Sequence, residues 1–245
     1  MCEMCHLENP ADRAQPSRRG LLRFFGAAAG LALASAASAK EIKKPPKPQN
    51  VVSPDASLEL LTKGNKRYAE GDSRRHDFKR EREALVGGQN PYAGILSCAD
   101  SRIAPEYAFD TGRGDLFVCR VAGNFANDDT IASMEYAVAI LGTPLIMVLG
   151  HDACGAIDAT IKSLKDNTTL PGHLPSLVTS LAPAVKAVSG RPGDPLDNAV
   201  RQNVIDNVAK LKSATPILSS AVEQRKLKIV GGIYRLRDGR VEMIS

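Results

Sequence analysis

Apolar positions along the chain follow two rhythms. Short continuous apolar runs occur at Tyr92–Ser97 (YAGILS), Asp115–Val121 (DLFVCRV), Pro144–Gly150 (PLIMVLG) and Leu227–Leu236. Runs of this length, bounded by turn residues, predict buried strands. Asp238-Gly239 then predicts a turn into a last strand, Val241–Ile244. Between the runs the apolar spacing lengthens toward a helical period. Ser53-Pro54-Asp55 opens a predicted helix over 56–69, with Leu58, Leu61 and Tyr68 near one face and Gly71 as its stop. Further helices are predicted over 132–141, 153–165, 174–189, 195–211 and 217–225. The fourth of these puts Val200, Val204, Val208 and Leu211 on one stripe. Residues 72–83 (DSRRHDFKRERE) form a charge run that reads as a solvated loop or helix face, with His76 exposed inside it. Strands alternate with helices, and the strands are apolar almost throughout. The prediction is therefore a single α/β domain, a mainly parallel sheet flanked by helices, ending in an antiparallel hairpin.

The first 54 residues follow neither rhythm. Ser17-Arg18-Arg19, an Ala/Gly-rich apolar run over 24–36 and Ala37-Ser38-Ala39 come in the order of a twin-arginine export signal with a small-x-small cleavage site. The run is too short to span a bilayer, which takes about 20 residues. Residues 1–39 thus read as a cleaved signal, 40–54 (KEIKKPPKPQNVVSP) as an extended Lys/Pro linker, and 55–245 as the working domain. The expected location is the periplasm or another extracytoplasmic space. Cys2-x-x-Cys5-His6 matches a haem-attachment pattern, but it lies upstream of the signal and would be lost with it.

This division changes the meaning of the composition. The whole chain of 245 residues carries a net charge of +5 and aromatics at only 4%, with no Trp. The linker alone holds four Lys against one Glu, so most of the excess lies outside the domain. A nearly neutral, aromatic-poor domain gives no case for a nucleic-acid partner. No apolar run is long enough for an integral membrane span.

Of five Cys, three fall in the domain. Cys98 lies just past one predicted strand, and His151 and Cys154 just past another. Sites in open α/β sheets gather at the carboxyl ends of strands, so two strand ends deliver two thiols and an imidazole to one place. That donor set suits Zn²⁺, and three protein ligands leave a fourth position for chemistry. Cys119, mid-strand, reads as core. Asp100 and Arg102 follow Cys98 at two-residue steps and can face one side. There the carboxylate either fills the fourth metal position or pairs with the guanidinium. An ordinary loop ion pair is the third reading.

CADSR at 98–102 with GHDACG at 150–155 resembles the β-carbonic anhydrases. The likeness extends through Leu61-x-x-Gly64-Asn65-Lys66-Arg67-Tyr68, Gly88-Gln89-Asn90-Pro91, Gly114-Asp115-Leu116-Phe117, Arg120-Val121-Ala122-Gly123-Asn124, Glu135-Tyr136-Ala137-Val138 and Ile229-Val230-Gly231-Gly232-Ile233-Tyr234. The resemblance implies one Zn²⁺ per chain on Cys98, His151 and Cys154, with Asp100 and Arg102 as a gating dyad. Asp100 would be a fourth ligand in a closed state. It implies that Gln89 orients substrate, that Phe117 and Tyr136 line the cleft, and that Gly155 offers a backbone N–H. It implies a homodimer at least, with Gln89 and Tyr136 serving the neighbouring subunit's zinc. Phe117 and Tyr136 resemble the constitutively open subgroup. The family's non-catalytic bicarbonate site uses a Trp, which this chain lacks. Ala156 stands where a Gly is common.

The implied activity is reversible hydration of CO2 to bicarbonate and a proton through zinc-bound hydroxide. Two alternatives share the residues. One is a hydrolase of carbon disulfide or carbonyl sulfide, which are linear like CO2. The other is a non-enzymatic zinc-binding protein in which Asp100 closes the site permanently.

Overall fold

The structure, a computed structural model, describes residues 52–244. The signal-like segment, Cys2, Cys5 and most of the Lys/Pro stretch lie outside the described residues. The described chain forms five strands: β1 (Ala93–Ser97), β2 (Leu116–Arg120), β3 (Leu145–His151), β4 (Lys228–Tyr234) and β5 (Val241–Met243). They make one sheet in the order β2-β1-β3-β4-β5. The first three pairings are parallel and β4–β5 is antiparallel. The α/β sheet with a closing hairpin is thus as the apolar runs predict.

Burial ranks the strands in a way the runs alone do not. Every residue of β1 and β3 is buried. The runs predict an equally buried β2, but it is partly exposed along its length and exposed at Arg120. The reason is position: β2 is an edge strand with a neighbour on one side only.

Two apolar layers cover the two faces. One joins Leu96, Ile146, Val148 and Ile233 to Val200, Val204, Val208 and Leu211. These last four lie on α7 (Pro195–Ser213), the stripe that the 3.6-residue spacing predicts. Gly150 permits this close approach, since a Cβ there would sit 2.6 Å from a Val204 methyl. Across this face also run α4 (Asp128–Ala139), α5 (Gly155–Asp166), α6 (Leu174–Ala187) and α8 (Ile217–Glu223). The opposite layer joins Ile95, Met147 and Leu149 to Leu61 and Phe109. Leu61 belongs to α1 (Pro54–Glu70), and Phe109 caps the short α3 (Pro105–Ala108).

Helix boundaries shift where caps decide them. Ser53 accepts the Ala56 N–H and Pro54 takes the first turn, so α1 begins inside the stretch read as linker. Asn127 and Thr130 form a reciprocal capping box, which starts α4 four residues before its apolar periodicity does. The charge run also contains a helix, α2 (Phe78–Ala84), with no buried residue. His76 is not free beside it. It is partly buried, with Nδ1 2.9 Å from Glu81 Oε1, and its ring stacks on Phe78. Among the described residues no helix is long and apolar enough to cross a membrane.

Candidate metal centre

Two strands and one helix start build the centre. β1 ends at Ser97 and delivers Cys98. β3 ends on His151 itself, and a tight turn leads to Cys154 at the N-cap of α5. Because β1 and β3 are adjacent and parallel, both ends open on the same side of the sheet. Among the described residues, Cys98, His151 and Cys154 form the one group of three or more potential ligands whose donor atoms lie within 4.8 Å of one another. All three are buried.

The turn is held under local strain. Ala153, between His151 and Cys154, has φ 51°, a left-handed conformation unfavourable for a residue with a Cβ. Contacts on both sides hold it: Arg102 Nη2 donates to Ala153 O at 3.2 Å, and Asp152 Oδ1 accepts the Leu236 N–H at 2.9 Å.

The donor set passes a chemical test for a metal. His151 Nδ1 lies 2.8 Å from the Asp152 carbonyl oxygen, which can only accept. The proton is therefore on Nδ1, and Nε2 presents a bare lone pair. That Nε2 is fully buried and has no hydrogen-bond partner among protein groups. A buried imidazole aimed at two thiols, with its other nitrogen fixed by a backbone carbonyl, is the arrangement of a zinc ligand. The thiols are unequal without an ion. A hydrogen bond from Cys154 and the Gly123 N–H (3.3 Å from Sγ) favour the thiolate, so the Cys98 thiol falls to about 4. Cys154 is pushed up correspondingly by its bond to Cys98 and by burial, while the amides of Ile157 and Ala156 in the first turn of α5 pull it back. A thiolate at Cys98 beside a second thiol is negative charge that a divalent cation would neutralise.

Asp100 and Arg102 form a pair, not a ligand set. Asp100 Oδ1 accepts Arg102 Nε at 2.9 Å and Arg102 N at 2.9 Å, and Oδ2 accepts Nη2 at 2.7 Å. This bidentate grip holds the Asp100 carboxyl well below the usual carboxylate range. Oδ2 lies 3.9 Å from His151 Nε2, on the rim of the ligand group.

Of the remaining predicted residues, only Gly155 adjoins a ligand in sequence. Phe117, in β2, and Tyr136, in α4, face each other at 6.2 Å between ring centroids, and Tyr136 is 48% exposed. Gln89 is exposed on the segment before β1. Two residues on, Pro91 O accepts the Thr143 hydroxyl, which fixes this segment at the amino ends of β1 and β3. Cys98 is at the other end of β1, roughly 20 Å away at about 3.3 Å per residue. One chain therefore does not bring Gln89 to its own ligands. Gly155 opens α5 beside Cys154 and is exposed. Cys119 is free, half-buried and packed against the core, and burial raises its thiol. A cavity of about 920 Å³, lined among others by Arg74, His76, Phe78, Tyr107 and Arg113, contains none of the ligands.

Sequence reasoning missed the groups behind Cys98. Gly123, with φ 85°, aims its N–H at the sulfur. On α7, Asn203 Nδ2 donates to Gly123 O at 2.9 Å, and Asn203 Oδ1 accepts from Asn207 Nδ2 at 3.0 Å. Arg120 reaches over the Cys98 loop. The signal available was a pair of Asn at i, i+4 on the otherwise apolar face of α7.

Comparison with known proteins points one way. The family profile described as "Carbonic anhydrase" matches residues 93–241. Carbonic anhydrase 2 of Mycobacterium tuberculosis is 39% identical over 189 residues, covering 76% of this chain and 91% of that protein. The carbonic anhydrase of Mycolicibacterium smegmatis is 36% identical over 193 residues, covering 78% and 94%. The solved structure of the β-carbonic anhydrase CcaA superposes with a TM-score of 0.60 at 30% identity, covering 77% of this chain and 95% of that one. A tetrameric β-carbonic anhydrase of Sordaria macrospora shares the fold, with a TM-score of 0.59 at 24% identity.

Proposed function

The chain belongs to the β-carbonic anhydrase family and catalyses the reversible hydration of CO2 to bicarbonate and a proton, and we propose the following division of labour among its residues. Cys98, His151 through Nε2, and Cys154 hold one Zn²⁺. The ion, when bound, supplies the Lewis acidity that makes water a nucleophile near neutral pH. Asp100, kept ionised by Arg102, accepts the hydrogen of the attacking water at Oδ2 and so orients its lone pair toward carbon. Arg102 also keeps the Asp100 carboxylate turned toward itself, so that Asp100 would not serve as a ligand to the ion. Phe117 and Tyr136 offer a dry slot for linear CO2. Gly155 N–H and Gln89 donate to substrate oxygens, Gln89 from a second copy of the chain. A homodimer or larger assembly follows from that placement, and the half-exposed Phe117–Tyr136 edge supports it.

The observation that carries the reading is the buried, unpartnered Nε2 of His151 grouped with the sulfurs of Cys98 and Cys154, all within 4.8 Å of one another. The related proteins are carbonic anhydrases, so the sulfur-substrate hydrolase is not favoured. The order of charged pair, apolar run and cleavage motif over 17–39 supports twin-arginine export to the periplasm. Metal analysis of purified protein tests the centre. It should give about one zinc per chain and, once denatured and stripped without reductant, three free thiols in the mature form. No zinc, or a single thiol, contradicts the assignment.

A further inference from the structure

The loop after β1 carries a metal ligand, a carboxylate and its arginine within five residues, yet three of its backbone carbonyls converge on one side chain from another strand. Arg120, the last residue of β2, donates from Nε to Cys98 O at 3.0 Å. Its Nη2 donates to Asp100 O at 2.7 Å and to Ile103 O at 2.9 Å. Asp100 O also accepts the Ile103 N–H at 3.2 Å, which closes the turn. The residues after Arg120 continue the grip. Ala99 N–H bonds Val121 O at 3.2 Å, Val121 N–H bonds Ser97 O at 3.1 Å, and Gly123 N–H bonds Cys98 Sγ.

Asp100 is therefore held twice. Arg102 takes its carboxylate and Arg120 takes its carbonyl. A planar guanidinium presents several donors in a fixed fork and can span three carbonyls, whereas an ammonium is a single point on a flexible stem. We infer that Arg120 is a positioning residue of the metal centre: by fixing the carbonyls of Cys98, Asp100 and Ile103 it keeps Cys98 Sγ on the ion and Asp100 on Arg102. Without it the loop is free to open, Cys98 leaves more readily, and Asp100 can swing to the metal and block it. This inference deepens the zinc reading and rests on it.

The test uses full-chain, zinc-loaded Arg120→Gln and Arg120→Lys, with Arg201→Gln as a control. Arg201 pairs with Glu242 at the surface and touches none of these groups. Three readouts apply: zinc release to an excess of chromogenic chelator, amide exchange at Ala99 and Ile103, and the split of CO2 hydration between kcat and KM. Arg120→Gln should release zinc roughly 10–100-fold faster, the range typical of outer-shell partners. It should deprotect the Ile103 amide while leaving Val148 in β3 protected, and lower kcat more than it raises KM. Arg120→Lys should fall between, and Arg201→Gln should match wild type. Should Arg120→Gln not fold, Arg120→Lys decides by the same readouts. Zinc release within about twofold of wild type, with Ile103 still protected, overturns the inference. Wild-type protein without zinc would instead retire the zinc reading, and the exchange of Ile103 would still test the clamp.

Discussion

The two ends of β1 make opposite kinds of structure. At its carboxyl end the three ligands are buried and their surroundings are fixed: His151 is held at Nδ1 by the Asp152 carbonyl, Cys98 by Gly123, and the less buried Asp100 by Arg102 and Arg120. At its amino end and along the β2 edge, Gln89 is exposed, Tyr136 is 48% exposed, and β2 has a free side. Ligands already ordered by their own chain spare the ion the cost of ordering them when it binds. A substrate slot can be completed by a second copy. In the proposed division of labour, the half that makes the nucleophile is thus intramolecular, and the half that orients CO2 is open.

Breaking the closed half should cost most. Cys98→Ala removes one of three ligands, and bound zinc should fall below about one-tenth per chain, with hydration at background. Zinc analysis and a stopped-flow assay check this. Asp100→Ala leaves the ligands in place, so zinc should stay at wild-type stoichiometry while kcat/KM falls about 10²–10⁴-fold. Joint loss of zinc and activity would assign Asp100 to metal retention instead. In the open half, Gln89→Ala should lower kcat/KM about 10²-fold with zinc and melting temperature unchanged, the size expected for one lost donor to a reacting oxygen.

The smallest effect belongs to a region outside both halves. Glu242 bridges Arg201 and Arg235, which hold its carboxyl below the ordinary value, Arg201 first. A depressed carboxylate contributes stability above its unfolded pKa and loses it as pH falls through the folded one. The group is partly exposed, so Glu242→Gln should cost less than about 1 kcal/mol at neutral pH. The difference should vanish under acid, as denaturant titrations at the two pH values would show.

How much of this was legible beforehand follows the same division. Cys98 and His151-x-x-Cys154 could be read because each ends an apolar run, and parallel strands open on one side. Asp100 and Arg102 could be read because alternate residues share a face. Arg120 could not, since its partners are backbone carbonyls, which every residue has. β2 could not be told from a central strand, because an apolar run has the same composition at an edge as in the middle. The helix α2 was hidden by its own charges, since it buries nothing. Gln89 carried no local signal at all and was named only through the family resemblance.

The measurement that bears most directly on a site divided between two copies is activity in mixed oligomers. Gln89→Ala and Cys98→Ala chains are each inactive or nearly so. If Gln89 serves the neighbouring chain, a purified heterodimer carries one complete site, formed by the ligands of the Gln89→Ala chain and the intact Gln89 of the other. Stopped-flow hydration should then recover to about half the wild-type rate per dimer, because one site in two is whole. A heterodimer no more active than the Gln89→Ala homodimer would place Gln89 at its own chain's metal and contradict the division.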